Sequence, residues 1–275
     1  MECDVCPRSC KLGEGQVGFC GVRKNVEGET VDQSYGIVDY DRHPIAGLMT
    51  YFPGCNLRCS FCCCRYLSKR EPDISDFREI SPLDLVRIAI SYDVHRIVLM
   101  TAEPALHHEY VSELARLCGE TNLSITLLTS GYLSPCLVEK LAESMTMVTV
   151  GIKASANPEV YRSMNADPIV CLESARIFWR AGKLIGIQDL IGPELETPED
   201  DDNFARWVSA NISPDVPVMI LPLTEPSPIR VKWGDNQPCV ESEPETRKRI
   251  LETATRLREG GITNIHPLWV RDELK

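Results

Sequence analysis

The chain has 275 residues, 43% hydrophobic and 25% charged, close to globular averages, which excludes disordered, collagen-like and coiled-coil classes. Lys+Arg 29 against Asp+Glu 40 leave a net charge of −11, so the sequence carries no electrostatic footprint for nucleic acid. No apolar run approaches the ~20 residues of a membrane span, and the opening MECDVCPRSC has no signal-peptide core. The expected partners therefore include neither nucleic acid nor membrane, and the expected location is the cytoplasm.

Thirteen cysteines stand out. In a reducing cytoplasm they read as metal or cluster ligands and not as disulfides. Cys3, Cys6, Cys10 and Cys20 lie within 18 residues of a Gly-rich stretch, residues 1–46, that has no long apolar face. This stretch reads as a small metal-stapled appendage, whose four thiols can close a tetrahedral zinc site or hold an iron–sulfur cluster.

Strand-like runs follow at Leu48–Phe52, Arg96–Met100, Ser124–Leu128, Met147–Ile152, Leu184–Leu190 and Val216–Leu221. Directly after the first comes Cys55-Asn-Leu-Arg-Cys59-Ser-Phe-Cys62, a C-x3-C-x2-C segment. Three thiolates suit three irons of a cubane and leave the fourth iron open to an exchangeable ligand. The alternative is a closed zinc site with Cys63 or Cys64 as fourth ligand.

Helices lie between the strands. Ser81-Pro82 starts one, with Leu83, Val86 and Ile90 expected to share its buried face. Thr197-Pro198 starts another, and the acidic run Asp200–Asp202 reads as its solvated first turn. Ser242 with Glu245 forms a capping box, with Ile250, Ala254 and Leu257 as the stripe and Gly260-Gly261 as the end. Such alternation implies parallel βαβ units, with the site at the carboxyl ends of the strands. Periodicity leaves open whether the sheet is doubly wound or a partial barrel.

The C-x3-C-x2-C segment, with Phe61 before its last cysteine, resembles the signature of the radical S-adenosylmethionine superfamily. The resemblance spans roughly residues 48–223. It implies a partial (β/α)6 barrel of parallel strands over residues 47–223, with the Cys-rich N-terminal appendage before it and a C-terminal extension, 224–275, packed on it. It also implies a [4Fe–4S] cluster on Cys55, Cys59 and Cys62. The open iron would bind S-adenosylmethionine, whose reductive cleavage gives a 5′-deoxyadenosyl radical that abstracts hydrogen. Thr101-Ala102-Glu103-Pro104 matches the family's Gly-Gly-Glu-Pro element, with Glu103 expected on the cofactor's amino group. Thr129-Ser130-Gly131 and Gly151-Ile152-Lys153 resemble segments of pyruvate formate-lyase activating enzymes, which makes Ser130 and Lys153 cofactor-binding candidates.

Three departures stand against those activases. Leu128 and Gly151 replace aspartates, and Leu221-Pro222-Leu223-Thr224 lacks a histidine. The N-terminal cysteine pattern resembles a subgroup whose members accompany the AMMECR1 and Memo proteins.

The resemblance implies an oxygen-sensitive oxidoreductase served by a low-potential electron donor of ferredoxin or flavodoxin type. The expected substrate is a protein or peptide, with a small metabolite or cofactor precursor as the alternative. The rival from another class is a non-catalytic iron–sulfur or zinc protein.

Other conspicuous residues read as structural. Cys63, Cys64, Cys118, Cys136 and Cys171 read as packing thiols. Trp179 and Trp207 read as buried helix faces, Trp233, His266 and Trp269 as core or lid, and His107-His108 as a helix start, since neighbouring side chains diverge.

Overall fold

A computed structural model describes residues 1–43, 46–71, 74–75, 77–192, 195–222 and 244–268. The appendage contains an antiparallel hairpin of β1 (Arg23–Val26) and β2 (Glu29–Asp32). The remaining strands form one sheet: β3 (Ile37–His43), β4 (Gly47–Tyr51), β5 (Arg78–Glu79), β6 (Arg96–Met100), β7 (Ser124–Thr129), β8 (Met147–Lys153), β9 (Leu184–Ile191), β10 (Val218–Pro222) and β11 (Ile265–Pro267). Their order is β11-β10-β9-β8-β7-β6-β4-β3-β5. From β4 to β11 neighbouring strands pair in parallel, whereas β3 and β5 add antiparallel to the β4 edge.

The helices are α1 (Arg65–Ser68), α2 (Pro82–Ser91), α3 (His108–Gly119), α4 (Pro135–Ser144), α5 (Pro158–Ser163), α6 (Pro168–Arg180), α7 (Pro198–Asn211) and α8 (Pro244–Glu259). Several open on proline behind a capping side chain. Ser81 accepts from Asp84 N–H, Asn157 from Glu159 and Val160, Asp167 from Ile169, and Thr197 shares a reciprocal box with Asp200. Proline costs nothing at the first helical position, where its missing N–H would be unpaired anyway.

All six expected strands are present, and the sheet is mostly parallel, as the expected architecture requires. Several details differ. Residues 37–43, assigned to the appendage, form a strand of the main sheet, with Asp39–His43 paired antiparallel to β4 and Val38 buried. The C-terminal region contributes β11, a seventh parallel strand, as well as a helix. On α2 the buried stripe is Pro82, Leu85, Val86 and Ala89, while Leu83 and Ile90 face solvent. Ile250, Ala254 and Leu257 are buried as expected, and Ser242 lies outside the described residues. Cys118 and Cys171 are buried, but Cys136 is exposed at the start of α4. Trp179 and Trp207 are half-buried against the core, and His266 is exposed with Nε2 2.7 Å from Asn264 Oδ1. Trp233, Trp269, Cys239, Leu223 and Thr224 lie outside the described residues.

Candidate active site at the carboxyl ends of the strands

The loop after β4 carries Cys55, Cys59 and Cys62 and turns at Gly54, whose φ is +79°. Only glycine fits there, because an added Cβ would lie 2.5 Å from Val22 Cγ1 and 2.9 Å from the Cys20 carbonyl. Cys55 is buried, with the Leu57 N–H 3.4 Å from its sulfur, while Cys59 and Cys62 are half-buried. The thiols lie within electrostatic reach of one another. Burial raises the Cys55 thiol strongly and the Cys59 thiol to about 11. Metal binding to either thiol would displace its proton. Phe61 is half-buried against the core.

Beside this loop runs Thr101-Ala102-Glu103-Pro104. Thr101 and Ala102 adopt φ of +65° and +44°, the left-handed conformation that glycines would take without strain. For side-chain-bearing residues this costs about 1–2 kcal/mol each, a strain typical of functional turns. The turn is bound to the cysteine loop: Glu103 N–H donates to the Gly54 carbonyl at 3.0 Å, and Phe52 N–H donates to Thr101 Oγ1 at 3.2 Å.

Glu103 is fully buried and bridges two loops. Oε1 accepts from Ala105 N–H and Thr129 Oγ1, and Oε2 accepts from Ser130 N–H and Ser130 Oγ, at 2.6–3.2 Å. These four donors occupy the acceptor capacity of the carboxylate. The geometry makes Glu103 a strut between the β6 and β7 loops, with Ser130 as its partner. The sequence also names both as cofactor-binding candidates.

Lys153 ends β8 within electrostatic reach of Cys59, with Nζ 2.8 Å from the Gly151 carbonyl. A Cβ at Gly151 would stand 3.1 Å from that Nζ, so the missing aspartate leaves room for the lysine to fold back.

The appendage docks on the cysteine loop. Cys55 N–H donates to the Cys20 carbonyl at 3.1 Å, and the Asn56 side chain contacts the Cys6 thiol. Arg8 donates to the Asn56 carbonyl and stacks on Phe19, 3.8 Å from its ring centroid. Arg58 stacks on the same ring and donates to the Phe19, Cys55 and Ser68 carbonyls. Arg23 forms a bidentate pair with Glu109 at 2.6 and 2.7 Å, and His107 bridges Asp32 to the Pro53 carbonyl. His107 is therefore a buried tie, while burial lowers His108 to about 4.

Within the appendage the four sulfurs face one another electrostatically. Each also meets a backbone N–H: Val5 for Cys3, Arg8 for Cys6, Phe19 for Cys10, and Val22 with Arg23 for Cys20. Such N–H···S contacts support ligating thiolates. Among the described residues no three His, Cys, Asp or Glu side chains already stand in the geometry of a single-ion site.

One polar cluster was missed in the sequence. At the carboxyl ends of β8 and β9, Ser155 Oγ lies 2.9 Å from Asp189 Oδ2 and 2.7 Å from Asp201 Oδ1. One hydroxyl proton cannot serve both carboxylates, so the pair must hold a further proton. Burial pushes Asp189 up to about 7. Arg249 pairs with Asp201 at 2.8 Å and Glu196 at 2.9 Å. Asp201 is thus a buried ion-pair partner, correcting the solvated-turn reading, although Asp200 does cap the helix. The available signal was Asp189, the one charged residue in strand β9. The left-handed turn Ala154-Ser155-Ala156 that presents Ser155 has no glycine to announce it.

Among the described residues no helix is long and apolar enough to cross a membrane. Residues 49–182 match the family model of the Radical SAM superfamily. An uncharacterized protein of Methanocaldococcus jannaschii is 25% identical over 220 residues, covering 73% of this chain and 63% of that protein. The structure resembles Streptococcus suis SuiB bound to S-adenosylmethionine, with a TM-score of 0.54 and 17% identity over 79% of this chain and 49% of that one. It also resembles SuiB bound to the precursor peptide SuiA, with a TM-score of 0.54 and 15% identity over 79% of this chain and 47% of that one. The chain thus spans about half the length of SuiB and less than two thirds of the archaeal relative.

Proposed function

We propose, because residues 49–182 match the Radical SAM family model, that the chain is a radical S-adenosylmethionine enzyme with a [4Fe–4S] cluster on Cys55, Cys59 and Cys62. The observation that carries this reading is the binding of the three-thiol loop to the strained Thr101–Ala102 turn through Gly54 and Glu103. The donor set fits the group: three thiols on one loop, graded from buried to half-exposed, serve three irons. When bound, cluster and cofactor supply a one-electron cleavage of the sulfonium and a carbon radical that abstracts hydrogen.

The chain's own residues hold and shield that chemistry. The turn at Thr101 and Ala102 presents backbone edge to the cofactor, Lys153 supplies a cation beside Cys59, and Glu103 with Thr129 and Ser130 fixes the spacing of the two loops. Cys3, Cys6, Cys10 and Cys20 hold a second centre, zinc or iron–sulfur, seated against the first through the Cys20–Cys55 hydrogen bond. Metal analysis separates the two: one zinc beside about four irons means a staple, and about eight irons an auxiliary cluster.

The substrate we favour is a protein or peptide, with electrons from a ferredoxin- or flavodoxin-type donor. Support comes from the sheet, whose described edges β5 and β11 do not pair and leave the barrel open. The test is anaerobic reconstitution followed by electron paramagnetic resonance of the dithionite-reduced protein. S-adenosylmethionine should shift the cluster signal in the wild type. A signal indifferent to the cofactor would refute the reading.

A further inference from the structure

Five thiols fall within residues 55–64, and the proposed function uses three. The other two are not core packing, since Cys63 is exposed and Cys64 only half-buried. Their sulfurs are 3.7 Å apart. Cys63 lies within electrostatic reach of Cys59 and Lys153, and Cys64 of Cys62. The Cys64 sulfur also accepts a hydrogen bond from the Ala102 N–H. The pair therefore sits among the cluster loop, the left-handed turn and Lys153.

Cys55, Cys59 and Cys62 leave one iron of a cubane without a thiolate, and an iron so exposed is the one oxidants remove. We propose that Cys63 ligates this fourth iron in the resting protein and is displaced when S-adenosylmethionine binds. The inference rests on the radical S-adenosylmethionine reading and adds to it a ligand drawn from this chain. Atoms and electrons balance without a co-reactant. The iron–sulfur bond to Cys63 breaks and its electron pair stays on sulfur, while the cofactor's amino and carboxylate groups take the vacated position. No electron is transferred in the exchange.

Two measurements test this on the full-length protein reconstituted with isotopically labelled iron. Mössbauer spectroscopy of the wild type without cofactor should show four irons in equivalent sulfur coordination, and S-adenosylmethionine should make one of them distinct. An iron already distinct in the resting protein would overturn the proposal. Limited ferricyanide oxidation should give a [3Fe–4S] signal several-fold stronger in Cys63→Ala than in the wild type, and cofactor added beforehand should suppress the excess. Equal signals, or an excess in Cys64→Ala alone, would overturn the assignment to Cys63. A wild type that assembles no cubane would instead defeat the underlying reading, so the two failures are distinguishable.

Discussion

The two thiol sets differ in how they are enclosed. In the appendage, Cys3, Cys6 and Cys20 are buried, and each sulfur of the set, half-buried Cys10 included, faces a backbone N–H. In the loop after β4 only Cys55 is buried; Cys59 and Cys62 are half-buried and Cys63 is exposed. Enclosed, amide-supported sulfurs hold a centre still and shut out exchange. Graded exposure leaves one side open to an incoming ligand, which is the difference between a closed and a reactive metal site. The two sets nevertheless touch through Cys20 and Cys55.

The strongest way to break that contrast is to remove a thiol from the open set. Cys59→Ala should abolish iron retention in the central loop and all cofactor cleavage. Cleavage surviving in this variant would contradict the three-thiol assignment.

The contact between the sets can be attacked at Gly54. Gly54→Ala forces a side chain into the left-handed region and drives its Cβ against Val22 and the Cys20 carbonyl. We expect metal to be lost from both centres at once, read as metal per chain against wild type. Loss from one centre alone would show that the docking is incidental.

A change in the Ser155–Asp189–Asp201 cluster should move stability and leave metal content alone. Asp189 is raised from 3.8 to about 7, so its protonated form is the one the fold favours. Its stabilising contribution is complete below pH about 4 and is lost as pH rises through about 7. Asp189→Asn preserves the neutral hydrogen-bonding pattern toward Ser155. It should match wild type near pH 4 and exceed it above pH 7, with a ceiling of about 4 kcal/mol from the size of the shift. Denaturant titrations at the two pH values check the sign.

The smallest effect sharpens the account of the open side. In Glu103→Gln the amide cannot accept from all four present donors, and each lost charge-assisted bond is worth about 1.5–3 kcal/mol. The β6 and β7 loops should loosen and S-adenosylmethionine should bind about tenfold more weakly, with the iron content unchanged. Calorimetry under anaerobic conditions reads this directly, and unchanged affinity would deny Glu103 a positioning role.

Much of this was legible in the sequence where a residue's local chemistry sets its place. Ser81 and Thr197 cap the helices they were expected to start, and the apolar runs became the parallel strands. Illegible features depend on distant partners. The strand 37–43 reads as polar, with Asp39, Asp41 and Arg42, and exists because β4 offers it an edge. Asp201 looks like one of three surface acids until Arg249, 48 positions on, covers it. Glu103 was recognised as important from its motif, but its four donors come from two loops that no spacing rule connects.

The most direct test of the central claim is product analysis. The anaerobically reconstituted wild type, reduced with dithionite and given S-adenosylmethionine, should form 5′-deoxyadenosine and methionine, and Cys59→Ala should form neither. A wild-type protein that carries a [4Fe–4S] cluster yet yields no 5′-deoxyadenosine would contradict the account.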